Sequence, residues 1–160
     1  GRDWASAAEL NVNITRNLSG VSEGRQHVVY VDSDADNSMK LATDGDFNTY
    51  WRTVHNQFYL APYPHEIQVS LAKEAKVKGI KYTPRQDSAE GRIAKYEIYL
   101  SQDGKEWGKS VASGTFKNSK EAQTVEFTPH QARYVKLQAL SAADGGKQAA
   151  VSELEILTAE

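Results

Sequence analysis

Residues 65–71 read His65-Glu66-Ile67-Gln68-Val69-Ser70-Leu71. Ile67, Val69 and Leu71 fall on one side of an extended chain; Glu66, Gln68 and Ser70 fall on the other. Side chains of a strand alternate between its faces, so this stretch predicts a half-buried strand. The pattern recurs along the chain. Residues 77–82 form a second candidate. In 93–100, Tyr96, Ile98 and Leu100 oppose Lys95, Glu97 and Tyr99. In 123–127, Val125 and Phe127 fall together. In 132–140, Val135 and Leu137 oppose Tyr134 and Lys136, and 151–157 closes the series. Turn-forming clusters separate these runs: Asp44-Gly45, Asp103-Gly104, Ser113-Gly114 and Asp144-Gly145-Gly146. Only 33–43 offers a helical turn. Many short strands at regular spacing predict an all-β sandwich or barrel. Connections too short for helical crossovers predict a mainly antiparallel sheet.

The chain has 160 residues. That length suits one domain and buries a core without covalent staples. There is no cysteine, which excludes disulfides and thiolate metal sites. The 19 basic and 21 acidic residues are interspersed, with a net charge of −2. No basic stripe predicts nucleic-acid binding, and no polybasic segment predicts a membrane surface. No apolar run approaches the ~20 residues that span a bilayer. Residue 1 is a glycine with no secretory leader, which reads as a piece of a longer chain. Residues 1–12 echo 145–156 in the same register, with Glu9 on Glu153, Leu10 on Leu154 and Val12 on Ile156. Residues 1–17 therefore read as the tail of a preceding module or a linker, and 18–160 as the domain. Repeated modules in one polypeptide usually serve avidity.

Two segments look like halves of an ion site. One is Asp44-Gly45-Asp46-Phe47-Asn48-Thr49-Tyr50-Trp51; the other is Ser152-Glu153-Leu154-Glu155-Ile156. A hard cation takes six to eight oxygens and mixes carboxylates, hydroxyls and carbonyls. Such a site would staple the fold. The residues alone also admit an ordinary turn and a solvated glutamate. Catalytic patterns are missing. His65-Glu66 lacks the second histidine of the helical zinc-protease motif. No Gly-rich phosphate loop appears, and chain order argues no Ser-His-Asp set. Trp51, Trp107, Tyr96 and Tyr134 sit in or beside strands and are expected in the core.

Seven segments, in order over about residues 27–157, carry a family resemblance. They are 44–51, Pro62-Tyr63-Pro64-His65-Glu66-Ile67, Pro84-Arg85-Gln86-Asp87, Tyr96-Glu97-Ile98-Tyr99-Leu100-Ser101, Asp103-Gly104-Lys105-Glu106-Trp107-Gly108, Ala132-Arg133-Tyr134-Val135-Lys136-Leu137 and 152–156. The chain resembles the coagulation factor V/VIII type C, or discoidin, domains. Within them it is most similar to carbohydrate-binding module family 32, found on galactose oxidase and on bacterial sialidases. The resemblance implies an eight-stranded antiparallel jelly-roll β-sandwich, galactose-binding-like, with a structural calcium. Carried over, the ion takes Asp44, Thr49 and Glu153 side chains, with main-chain carbonyls from Leu41, Asp46, Thr49 and Ser152.

The resemblance also places a sugar site on loops at one end of the sandwich. Arg85 matches an arginine that contacts galactose hydroxyls, and Glu90 lies near an acidic ligand. Arg52 stands where those relatives carry histidine, and His55 where an aromatic stacking residue is usual. Gln148 replaces an aromatic of the last loop; Phe58, Tyr59 and Tyr63 offer substitute faces. The implied function is a non-catalytic module. It would anchor a hexosaminidase, sialidase or other glycoside hydrolase to galactose- or N-acetylhexosamine-containing glycans. Its partners would be a glycan and other domains of the same polypeptide, in an extracellular, periplasmic or cell-surface setting. The alternative is a protein- or phospholipid-binding adhesion domain with Phe58, Tyr59 and Leu60 as apolar spikes. The lack of a closing cysteine pair argues against it.

Overall fold

The computed structural model describes residues 26–31, 39–53, 55–56, 59–60 and 62–160; at 26–31, 39, 55–56 and 59–60 it describes the backbone only. Residues 1–17, expected to belong to a preceding module or linker, lie outside the described residues, as do the side chains of His55, Phe58, Tyr59 and Leu60.

The described residues are all-β apart from one 3-10 turn, Met39–Thr43, inside the segment expected to hold a helical turn. The strands are β1 (Gln26–Val31), β2 (Trp51–Arg52), β3 (His55–Asn56), β4 (Tyr59–Leu60), β5 (His65–Thr83), β6 (Lys95–Ser101), β7 (Ala112–Thr115), β8 (Gln123–Ala139), β9 (Ala150–Val151) and β10 (Glu153–Ala159). All pairings between these strands are antiparallel. The main sheet runs β1-β5-β8-β6-β7, and β10 pairs with β5 off that path. The architecture is the β-sandwich that the alternating patterns predict.

Two strands are longer than the pattern suggests. Residues 65–71 and 77–82 read as separate strands, and so do 123–127 and 132–140. The structure joins each pair into one strand. Ala72, Lys73 and Glu74 are exposed, and the β5–β8 register shifts between Ser70 and Ala75 and again between Val77 and Gly79. The polar stretch therefore bends the strand without ending it. The first half of β5 pairs with β1 and with the 134–139 half of β8; its second half pairs with β10 and with 123–126. One continuous strand thus pairs with β1, β8 and β10 along its length. Pro129 sits where β8 passes the second register shift, where a missing N–H is tolerated.

Both halves bury their alternate residues in one core. Ile67, Val69 and Leu71 join Val77, Ile80 and Tyr82, with Ile98, Val135, Leu137, Leu154 and Ile156 opposite. Trp51 is fully buried among them, and Tyr96 stacks on Phe116 at 4.0 Å. Trp107 and Tyr134 correct the expectation of core aromatics. Both are half-buried, Trp107 beside Lys136 Nζ at 4.5 Å and Tyr134 under Gly104. Strand alternation puts Tyr134 and Lys136 on the outer face, and the Asp103-Gly104 turn brings Trp107 back onto it.

Gly79 marks the tightest backbone approach between β5 and β8. A Cβ there would lie 2.4 Å from the Val125 carbonyl oxygen. Backbone cannot swing away as a side chain can, so Gly79→Ala should destabilise the domain by about 1–3 kcal/mol, as overpacking does. Urea denaturation checks this; a midpoint unchanged from the parent would show that the strand pair opens freely.

Candidate functional site

Loop closure begins with local hydrogen bonds after the 3-10 turn. Asp44 accepts the Asp46 amide at 2.9 Å and the Thr49 hydroxyl at 2.6 Å. Thr49 Oγ1 also lies 3.0 Å from the Asp46 carbonyl. The Asp46 carboxylate turns the other way and accepts the Asn48 amide at 2.9 Å. The second half of the expected ion site comes to this loop. Glu153 is fully buried, and its Oε2 accepts the Gly45 N–H at 2.9 Å. Ser152 is held by its N–H to the Thr83 carbonyl at 2.9 Å; its buried hydroxyl has no hydrogen-bond partner among the described residues. Leu41 lies half-buried in the 3-10 turn that leads into the loop. Among the described residues no three His, Cys, Asp or Glu side chains are grouped to hold a metal. Thr49 Oγ1 meets the Asp44 carboxylate and the Asp46 carbonyl, and the Glu153 carboxylate reaches the same loop at the Gly45 N–H.

From this loop the chain runs into Tyr50, Trp51 and Arg52. Trp51 turns inward, and β2 pairs with β9 through Trp51–Val151 and Arg52–Ala150. Alternation sends Tyr50 and Arg52 to the opposite side from Trp51. There the Tyr50 ring meets Arg85, whose Cζ is 4.3 Å from the ring centroid. Arg85 is only 8% exposed. Its Nε donates to Asp87 at 2.5 Å and its Nη1 to Glu90 at 3.2 Å. Burial works against the guanidinium charge, but the bond to Asp87, the Tyr50 contact and Glu90 together hold its pKa above the ordinary value. The Asp87 carboxyl is held below its usual range, first by the Arg85 hydrogen bond and further by Arg85 and Arg52 charge.

Glu90 links this group to the last loop, because Gln148 Nε2 donates to its Oε2 at 3.4 Å. That loop is anchored from below. The Tyr63 hydroxyl donates to the Gln148 carbonyl at 2.5 Å, and His65 Nε2 to the Lys147 carbonyl at 2.7 Å. Burial pushes the Tyr63 phenol well above its ordinary pKa, which keeps it protonated as a donor. Tyr63 thus holds the loop's backbone. His55 is placed by its backbone pairing with Leu60. The structure brings together Arg85, Asp87 and Glu90 directly; Arg52 sits on β2, near enough for its charge to act on Asp87. The structure adds Tyr50, Asp87 and Gln148, which the sequence did not single out as binding residues.

The end of the sandwich therefore carries two guanidiniums, two carboxylates, an amide and a half-buried tyrosine. Planar donors and acceptors of this kind suit pairs of hydroxyls. The sequence pattern of the F5/8 type C domain matches residues 25–154. The chain belongs to the F5/8 type C domain family. This F5/8 type C domain is 36% identical over 155 residues to a sialidase of Micromonospora viridifaciens, a match covering 94% of the chain and 24% of the sialidase. It is 30% identical over 142 residues to a galactose oxidase of Gibberella zeae, covering 88% of the chain and 21% of the oxidase. The domain thus spans a quarter or less of the length of these curated relatives. Among solved structures it is similar to the Clostridium perfringens module CpGH89CBM32-5, in complex with GalNAc-β-1,3-galactose. The two share a TM-score of 0.73 and 28% identity, over 84% of this chain and 95% of that one. The structural neighbours are family 32 carbohydrate-binding modules.

Proposed function

We propose that the chain is a non-catalytic carbohydrate-binding module that anchors a larger glycan-processing protein to galactose- or N-acetylhexosamine-containing glycans. The observation that carries this reading is the buried Arg85, held by Asp87 and Glu90 at the loop end that Gln148 also reaches. The similarity to a module solved with GalNAc-β-1,3-galactose supports it. Arg85 and Arg52 present N–H groups to sugar hydroxyls, and Glu90 accepts from them. His55, on the β3–β4 hairpin, would be the residue that meets the sugar ring in this proposal, and Tyr63 fixes the loop that carries Gln148. The parent polypeptide is a glycoside hydrolase working outside the cytoplasm, in an extracellular, periplasmic or cell-surface setting. Among the described residues no helix is long and apolar enough to cross a membrane.

A structural calcium belongs to the same proposal. The fit rests on the donor set: Thr49 Oγ1 lies 2.6 Å from Asp44 Oδ2 and 3.0 Å from the Asp46 carbonyl, and Glu153 reaches the same loop through the Gly45 N–H. A hard cation takes carboxylate, hydroxyl and carbonyl oxygens of this kind. Asp44, Thr49 and Glu153 would hold the ion with carbonyls of Leu41, Asp46, Thr49 and Ser152. The ion would supply charge neutralisation for the buried Glu153 and for Asp44, which is exposed.

A shallow site for one or two sugar units binds weakly, with Kd of about 0.1–10 mM, or about −3 to −5 kcal/mol. NMR titration with galactose, N-acetylgalactosamine and N-acetylglucosamine tests the reading. Shifts should cluster on Arg52, Arg85 and Glu90. Arg85→Ala removes charge-assisted bonds of about 1.5–3 kcal/mol, so binding should fall below detection in a folded domain. Shifts confined to the far end of the sandwich, or none with any sugar, would overturn it.

A further inference from the structure

The loop 44–49 and the site share an anchor. Glu153 Oε2 holds the Gly45 N–H. The backbone of Glu153 pairs with Thr83, two residues before Arg85. From Gly45 the chain closes through Asp44–Thr49 and delivers Tyr50 onto the guanidinium of Arg85. Two routes therefore leave the same buried glutamate and meet at the Tyr50–Arg85 contact.

We propose that Tyr50 is a positioning residue for glycan recognition. The Glu153-pinned loop sets the Tyr50 ring, and the ring sets the guanidinium plane of Arg85. This rests on the glycan-binding reading above. The hydrogen-bonding partners of Arg85 cannot fix it alone. The side chains of Asp87 and Glu90 are 64% and 46% exposed, and exposed ion pairs hold geometry weakly. The ring under the guanidinium covers one side of the fan and leaves the N–H groups not given to Asp87 and Glu90 for a ligand. Arginine stacks on aromatic faces in this way because the cation is attracted to the ring quadrupole. The role is assigned to the Tyr50 ring, so Tyr50→Phe should keep it.

The test compares Tyr50→Phe and Tyr50→Leu by titration with galactose and N-acetylgalactosamine, while following the Arg85 Nε–Hε resonance. Tyr50→Phe should keep the parent Kd within about twofold and keep the Arg85 signal. Tyr50→Leu should raise Kd about fivefold, the worth of an exposed-to-half-buried cation–π contact. It should also shift or broaden the Arg85 Hε signal in the ligand-free protein. Thr49→Val loosens the loop; it should weaken binding in the parent and add nothing in Tyr50→Leu. A Tyr50→Leu domain that binds like the parent overturns the inference and leaves the glycan reading standing. Equal losses in Phe and Leu also overturn it, because the hydroxyl would then be the working group. A parent that binds neither sugar overturns both. An Arg85 resonance unmoved by Tyr50→Leu would end the positioning role whatever the affinities.

Discussion

Replacing Trp51 with alanine should cost the domain about 3–5 kcal/mol of stability, the range for emptying a large aromatic site in a core. Trp51 is fully buried and belongs to the central cluster. Its backbone pairs with Val151, so the ring and the strand pair are lost together if the surrounding side chains collapse inward. In a domain of this size 1 kcal/mol moves the melting temperature by about 2–4 °C, so the midpoint should fall by roughly 6–20 °C. Trp51→Phe fills part of the space and should lie between. Thermal denaturation followed by near-ultraviolet circular dichroism checks the series. A fall of less than about 2 °C would mean that Trp51 is not the keystone its burial indicates.

Glu153 should give the second large effect, and its two variants separate two contributions. Glu153→Ala strips the acceptor from the Gly45 N–H. A hydrogen bond to a charged group is worth about 1.5–3 kcal/mol. If calcium sits between Asp44 and Glu153, its stabilisation is lost as well, about 2.7 kcal/mol at a hundred times Kd. Glu153→Gln keeps an amide oxygen for Gly45 but removes the charge. With a bound cation, it should melt as low as the parent in chelator and no longer respond to added calcium. Without one, it should melt near the parent, and chelator should leave the parent unchanged. That second pattern would remove calcium from the proposal and leave Glu153 as a hydrogen-bonding anchor.

The fold was legible because its signal is local. The alternation at Ile67, Val69 and Leu71 and at Tyr96 and Ile98 appears as burial on one face in the structure. Strand length was not legible. Lys73 and Glu74 look like a loop to any periodicity argument, and only the continuing partner strand shows that the chain stays extended there. Trp107 looked like core because size alone predicts burial; the turn at Asp103 and Gly104 decides otherwise. At the site, Arg85 and Glu90 were each legible only through the family resemblance, and their shared loop brings them into contact. The stacking of Tyr50 on Arg85 was not legible, since it joins distant segments. Gln148 read only as a missing aromatic, whereas its amide bonds Glu90 across the end of the sandwich.

The pairing of β5 with β1, β8 and β10 bears on how the molecule is made. Its far half pairs with β10, and the Gly45–Glu153 bond spans 108 positions. Such long-range pairing slows folding, because chain entropy is spent before the contacts form. During synthesis the 76–83 half of β5 emerges long before β10 does, and an unpaired edge recruits whatever strand is nearby. A ribosome carrying this chain therefore holds an unfinished sandwich until about residue 157 has been added. In a polypeptide with several such modules, that interval is when a neighbour's last strand could take the place of β10.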